Sequence, residues 1–310
     1  MKETIRIGTR GSKLALWQAH YIQGRLQQGN IHSEIVIIET KGDQILDRSL
    51  AKIGSKGVFT QELEDQLRDG SIDIAVHSAK DLQSELAEDV EIIAFTERET
   101  ANDVLVSLNP QLSLQSGQAF VIGTSSTRRI AMLKHYYPHI QTVNMRGNLQ
   151  TRMRKMEEGH CDALLLAYAG VHRMEYTDKI TELLTLEEFT PAVGQGSIAI
   201  EAACSLPTDK KMLIRQLTNH RPTEVCLLAE RAYLRRLQGG CSIPIFALAT
   251  LQEETLTLTG GLISLDGKEV LKETVQSPVA EAEKLGFTLA EKILHLGGGE
   301  ILAEIRKTVV

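Results

Sequence analysis

The chain has 310 residues, 42% hydrophobic and 24% charged, which is the balance of a globular protein with ample core-forming material. That length exceeds one ordinary compact domain, so two or three domains are expected. With 34 Lys+Arg against 40 Asp+Glu the formal net charge is −6, which argues against a general nucleic-acid coat but leaves room for a local basic cleft.

The first ten residues carry Lys2, Glu3 and Arg6 and no apolar run, so no secretory signal is expected. The best apolar run, residues 163–171, is core-strand sized, and no membrane partner is expected. Four cysteines are widely spaced without a C-x-x-C pair, which fits a reducing, cytoplasmic home. Cys161, Cys204 and Cys226 read as small buried hydrophobes. His135 and His139 stand four apart, but Pro138 between them spoils a helical metal face, so no metal is expected.

In chain order, residues 4–8 alternate as a strand and 13–28 follow with helical periodicity. A strand at 34–40, a helix at 60–68 and strands at 72–77 and 90–95 come next. The alternation continues with strands at 104–107 and 119–123, a helix at 126–135, a strand at 141–145, a helix at 148–158 and a strand at 163–167. Such alternation predicts α/β layers with largely parallel sheets. Pro191, Gly194 and Gly196 make residues 190–196 a breaker cluster, a crossover or hinge between two lobes. From about residue 221 the character changes. A helix at 223–237, strands at 245–251, 255–263 and 269–276, and a helix at 279–295 suggest a smaller α+β domain. No internal sequence repeat is evident.

Gly123-Thr124-Ser125-Ser126-Thr127-Arg128-Arg129 follows a predicted strand and opens a helix. Hydroxyls and free N–H groups at a helix N-terminus attract anions, and Arg128 and Arg129 add bidentate carboxylate donors. An ordinary Ser126 N-cap with surface arginines fits the same pattern, and spacing does not separate the two. Similar devices recur at other predicted strand ends: Arg10-Gly11-Ser12, Arg146-Gly147-Asn148 with Arg152 a turn later, and Arg173. Ligands collect at the carboxyl ends of strands in open α/β sheets, so these cations fall at one topological place. Lys80-Asp81, after the strand at 72–77, reads either as a surface ion pair or as an acid/base tuned by cationic neighbours. The segment around Lys52, Lys56 and Phe59 is a basic, glycine-rich loop able to close over an anion, or a plain surface loop. Cys241, after Gly239 and Gly240, stands in a tight turn whose glycines would leave room around the sulfur.

Together these segments closely resemble the porphobilinogen deaminase (hydroxymethylbilane synthase) family. The resembling stretches are 6–19, 51–57, 73–81, 123–129, 146–148, 191–196, 229–231 and 237–241, in the family's order. The resemblance implies a dipyrromethane cofactor on Cys241 through a thioether, to which four porphobilinogen units are added with loss of ammonia. It implies Asp81 as the catalytic carboxylate and Lys80, Ser126, Arg128 and Arg129 as cofactor holders. Arg10, Ser12, Arg146, Arg152 and Arg173 would serve porphobilinogen and the growing oligopyrrole, and Lys52, Lys56 and Phe59 belong to a mobile active-site loop. The implied fold is α/β, with two periplasmic-binding-protein-like lobes (1–97 with 195–216, and 98–194) and a smaller C-terminal α+β domain (217–310). The implied state is a monomer with no nucleic-acid partner. The chain departs from the family pattern at Gln83, where a proline is usual two residues after the catalytic Asp, at Thr127 (usually leucine) and at Lys41 (commonly arginine).

A competing class is a two-lobed binding module, but a periplasmic receptor needs an export signal and a regulator's effector domain needs a helix-turn-helix, for which the strand-like N-terminus leaves no room. A phosphate-substrate transferase would be expected to show a glycine-rich phosphate loop or metal carboxylates.

Overall fold

A computed structural model gives the structure of residues 4–40, 60–240 and 242–309. In chain order the elements begin β1 (Ile5–Arg10), α1 (Lys13–Gln28), β2 (Ser33–Ile38), α2 (Gln61–Arg68), β3 (Ile74–Ser78) and β4 (Val90–Phe95). Then follow β5 (Asp103–Ser107), β6 (Val121–Gly123), α3 (Thr127–Tyr136), β7 (Gln141–Val143), α4 (Leu149–Glu157), β8 (Ala163–Ala167), α5 (Tyr168–Arg173) and β9 (Ile180–Leu183). The chain ends with β10 (Ile198–Ala203), α6 (Thr208–Thr218), α7 (Arg221–Arg236), β11 (Ile245–Gln252), β12 (Thr255–Ile263), β13 (Val270–Pro278), α8 (Ala282–Ile293) and α9 (Gly299–Val309).

These elements form two compact units. The first comprises residues 4–40, 60–99 and 196–225, and the second residues 100–195 and 226–309. In the first, a five-stranded sheet has the order β2-β1-β3-β10-β4. β2, β1 and β3 are parallel, whereas β10 runs antiparallel to both β3 and β4. Ala19, Ile22 and Leu26, at helical spacing on α1, bury against Ile5, Ile7, Ile74 and Val76 of the sheet.

The second unit repeats this plan with the order β7-β6-β8-β5-β9, in which β5 is the reversed strand. In both sheets the reversed strand delivers its first residue to the edge where its parallel neighbour ends. Ile198 opposes Ser78 in one, and Asp103 opposes Ala167 in the other.

The C-terminal antiparallel sheet β11-β12-β13 lies in the second unit, and it shares a core with that unit's α/β lobe. Phe246 and Ile263 pack in one cluster with Leu105, Ala131, Leu133 and Phe189. The β12–β13 turn also docks on the end of α3: Lys134 Nζ donates to Leu265 O at 2.9 Å, and His135 Nδ1 lies 2.7 Å from Gly267 O. Gly267 has φ +76°, and a Cβ there would sit 2.7 Å from Ala131 O, so the turn admits little but glycine.

The alternating elements follow the sequence expectation, but the sheets are mixed and not largely parallel. Each five-stranded sheet has two parallel and two antiparallel pairings, because one reversed strand is inserted next to the edge. β9, β10, α5, α6 and α9 were not anticipated. β10 is buried along its whole length, so it lacks the alternation that marks a half-buried strand. The run Gly297-Gly298-Gly299 reads as a helix stop, yet only Gly297 (φ 101°) leaves helical geometry before α9 resumes. Cys161 and Cys226 are buried as expected, but Cys204 is exposed. It follows the last residue of β10, beyond the sheet's cover, with its Sγ 3.6 Å from Glu88 O.

Because Phe246 joins the two cores, Phe246→Ala should destabilise the second unit by about 3–5 kcal/mol. Hydrogen exchange should then show α3 and β12 losing protection together under urea. Loss confined to β12 would mean that the sheet folds apart from the lobe.

Candidate active site

The first unit holds a cleft at the carboxyl ends of β1 and β3. It is lined by Arg10, Ser12, Gln18, Thr60, His77 and Asp81, among others. Ser12 caps α1, its Oγ accepting from Ala15 N at 3.3 Å. The buried Gln18 donates from Nε2 to Ser78 Oγ at 2.8 Å, orienting that hydroxyl. Beyond Ser78 the chain makes one 3-10 turn, Ala79–Asp81, anchored by Ala79 N donating to Ser197 O at 3.0 Å. Asp81 stands exposed at this turn, with Lys80 half-buried beside it. His77 Nε2 lies 3.1 Å from Oε2 of the fully buried Glu201, one strand away.

In the second unit, Ser126 caps α3 by accepting from Arg129 N at 3.5 Å. The capping reading is therefore correct for Ser126, but the arginines are not on the surface: Arg128 and Arg129 are only 4% and 6% exposed. Both pair with the fully buried Asp103. Arg128 Nη2 donates to Oδ2 and Arg129 Nη2 to Oδ1, each at 2.7 Å. Arg128 Nη1 also donates to Thr190 O, and Arg129 Nη1 to Leu165 O, both at 2.9 Å. Gln195 Nε2 bridges Asp103 Oδ1 (2.8 Å) and Ala101 O (2.7 Å).

Burial alone would push the Asp103 carboxyl up. The charges of Arg128 and Arg129, with hydrogen bonds from Arg129 and Gln195, outweigh it and hold the group well below the usual carboxylate range. Burial in turn lowers Arg128 despite Asp103. Two guanidiniums face one carboxylate, and the Nε–H of each arginine is buried without a hydrogen-bond acceptor. That surplus of charge and of donors suits an anionic, carboxylate-bearing group.

The other candidate arginines of this unit follow β7 and β8. Asn148 caps α4, its Oδ1 accepting from Thr151 N at 2.9 Å, and Arg152 Nε donates to Gly147 O at 2.8 Å. Arg146, Arg152 and Arg173 are half-buried. Lys52, Lys56, Phe59 and Cys241 lie outside the described residues. Near Cys241, a Cβ on Gly239 would fall 2.3 Å from Leu234 Cδ1 and 2.8 Å from Ile245 Cδ1, so a side chain there would have to displace the tips of those two residues.

Sequence reasoning gave no role to Asp103, Gln195, Glu201 or Gln18. The available signal was indirect: two adjacent arginines opening a helix over a sheet need a buried counter-charge, and Asp103 is the acid that opens an apolar strand.

Residues 5–211 match the model described as porphobilinogen deaminase, dipyromethane cofactor binding domain, and residues 224–295 match the porphobilinogen deaminase C-terminal domain. The chain belongs to the porphobilinogen deaminase family. A porphobilinogen deaminase of Cytophaga hutchinsonii is 57% identical over 99% of this chain and 98% of its own length. One of Desulfosudis oleivorans is 54% identical over 98% of each. Among solved structures, the methionine binding protein MetQ aligns with a TM-score of 0.45 at 10% identity, covering 69% of this chain and 89% of that chain. Membership makes the chain a transferase of tetrapyrrole synthesis with a dipyrromethane cofactor.

Asp103 carries a pH signature. Its folded carboxyl binds a proton less tightly than the unfolded one, so its stabilisation is full at neutral pH and is lost as pH falls below about 4. Asp103→Asn leaves two buried guanidiniums without a counter-charge and should cost about 3–5 kcal/mol at pH 7. Urea midpoints measured from pH 7 to 3 should also fall less steeply for the variant than for the wild type. Parallel curves would remove Asp103 from the acid response.

Proposed function

We propose that the chain joins four porphobilinogen molecules head to tail, with loss of ammonia at each step, and releases hydroxymethylbilane by hydrolysis. The observation that carries this reading is the cleft that brings the Asp81 carboxylate together with Arg10 and Ser12. Porphobilinogen carries an acetate and a propionate, which guanidinium groups bind in planar, bidentate fashion. Departure of ammonia leaves positive charge on the pyrrole. A fixed carboxylate stabilises that charge as it develops and accepts the proton released when the new carbon–carbon bond forms. Asp81 takes this role.

Arg128 and Arg129, with Ser126 and Lys80, would hold the carboxylates of the dipyrromethane, and the Cys241 sulfur would carry it through a thioether. When bound, that group supplies the primer on which the chain grows. Arg10, Ser12, Arg146, Arg152 and Arg173 would bind incoming and growing pyrroles, with Lys52, Lys56 and Phe59 on a covering loop. We also place the protein in the cytoplasm as a monomer. Widely spaced cysteines with no C-x-x-C pair support the compartment, and among the described residues no helix is long and apolar enough to cross a membrane.

Two measurements test this reading. The intact protein, expressed with porphobilinogen available, should exceed its sequence mass by one dipyrromethane localised to a Cys241 peptide; a bare mass counts heavily against the assignment. Asp81→Ala should keep the fold yet lose at least about 100-fold in turnover. Full activity in that variant would exclude Asp81 from the chemistry.

A further inference from the structure

Asp81 is exposed on a single 3-10 turn whose closing hydrogen bond, Leu82 N to Ala79 O, is long at 3.4 Å. One such turn has little rigidity of its own, so the aim of the carboxylate depends on what holds each end. On the near side, Ala79 N is fixed to Ser197 O. On the far side the buried Leu82 is followed by Gln83, whose side chain leaves the turn for the start of α2. Gln83 Nε2 donates to Thr60 Oγ1 at 3.2 Å and lies 3.4 Å from Glu64 Oε1.

That anchor point is itself firmly held. Glu64 is buried, and its Oε1 accepts from Thr60 Oγ1 at 2.7 Å while its Oε2 accepts from Arg68 Nη2 at 3.1 Å. Thr60 stands at the N-cap of α2 but makes no side-chain capping bond; its hydroxyl is committed to Glu64 instead. Thr60 also lines the cleft into which Asp81 faces. The chain two residues past Asp81 is thus tied to another wall of the same cleft through a buried, charge-assisted network.

The backbone shows what the tether replaces. Leu82 has φ −70° and ψ 146°, the extended conformation that a proline at the next position enforces on its predecessor. A proline ring at 83 and a glutamine amide bound to Thr60 and Glu64 are two ways of imposing one backbone path, the first covalent and the second by hydrogen bonds.

We propose that Gln83 is a positioning residue, whose amide anchors the Asp81 turn to Thr60 and Glu64 and so fixes the carboxylate in the cleft. The inference rests on the reading that Asp81 carries turnover. The loaded enzyme tests it through Gln83→Ala and Gln83→Pro, with kcat, KM for porphobilinogen, intact mass and thermal midpoint measured on each. Gln83→Ala should lower kcat on the order of tenfold through misorientation, with KM, dipyrromethane loading and melting little changed. Gln83→Pro, which has no amide but restores the backbone restraint, should recover most of that loss. Unchanged kcat in Gln83→Ala, a loss that merely tracks lost loading or melting, or a proline variant no better than alanine would each overturn the proposal. Asp81→Ala separates the two failures: if it is inactive while Gln83→Ala is normal, only the positioning role falls.

Discussion

Two guanidiniums and one carboxylate, all shut away from water, form the interaction on which the second unit depends. Burying three charges is costly, and it is tolerable only because Asp103 faces Arg128 and Arg129 at 2.7 Å and neighbouring carbonyls and Gln195 take further hydrogen bonds. The arrangement joins β5, the start of α3, the middle of β8 and the segment leading to β10. A hydrophobic replacement could stabilise those elements equally well. What it could not supply is a rigid pair of cations with one net positive charge and two unused N–H donors.

The topology explains why such a group can form at a strand edge. In both sheets the three adjoining parallel strands leave their carboxyl ends on one side, and the reversed fourth strand presents its first residue there. The second unit uses this to place Asp103 beside the helix start at Ser126. The first uses it to place Ser197 against Ala79, at the base of the Asp81 turn. The two units therefore share an architecture without a sequence repeat, because strand order constrains which faces are apolar and leaves the residues themselves free.

This is also why the sequence disclosed some parts and withheld others. Strand–loop–helix junctions carry their own punctuation, so Arg10-Gly11-Ser12 and Ser126 through Arg129 were legible as helix starts. The family motifs supplied Asp81, which local chemistry alone favoured slightly as a surface ion pair over an acid. Buried partners are different. Asp103, Glu201 and Gln195 meet their partners 25, 124 and 92 residues away in the chain, and no local period reports such a pairing. Cys204 misled for the related reason that burial depends on where a strand stops. The merging of the C-terminal sheet with the second lobe was likewise invisible, since Phe246 and Gly267 read locally as ordinary strand and turn residues.

The arginines differ in a way set by the tertiary fold and not by the local sequence. Arg128 and Arg129 are enclosed and pinned at both ends of each guanidinium, whereas Arg10 at the end of β1 and Arg146, Arg152 and Arg173 on a loop and two short helices are half-buried. A group that stays bound through every cycle is best held by donors whose orientation was settled on folding, because no ordering is then needed on binding. Carboxylates that arrive, advance and leave are better served by partly solvated cations, from which dissociation is not prohibitive. The gradient of burial among chemically identical side chains thus matches the proposed division between a permanent dipyrromethane and a moving oligopyrrole.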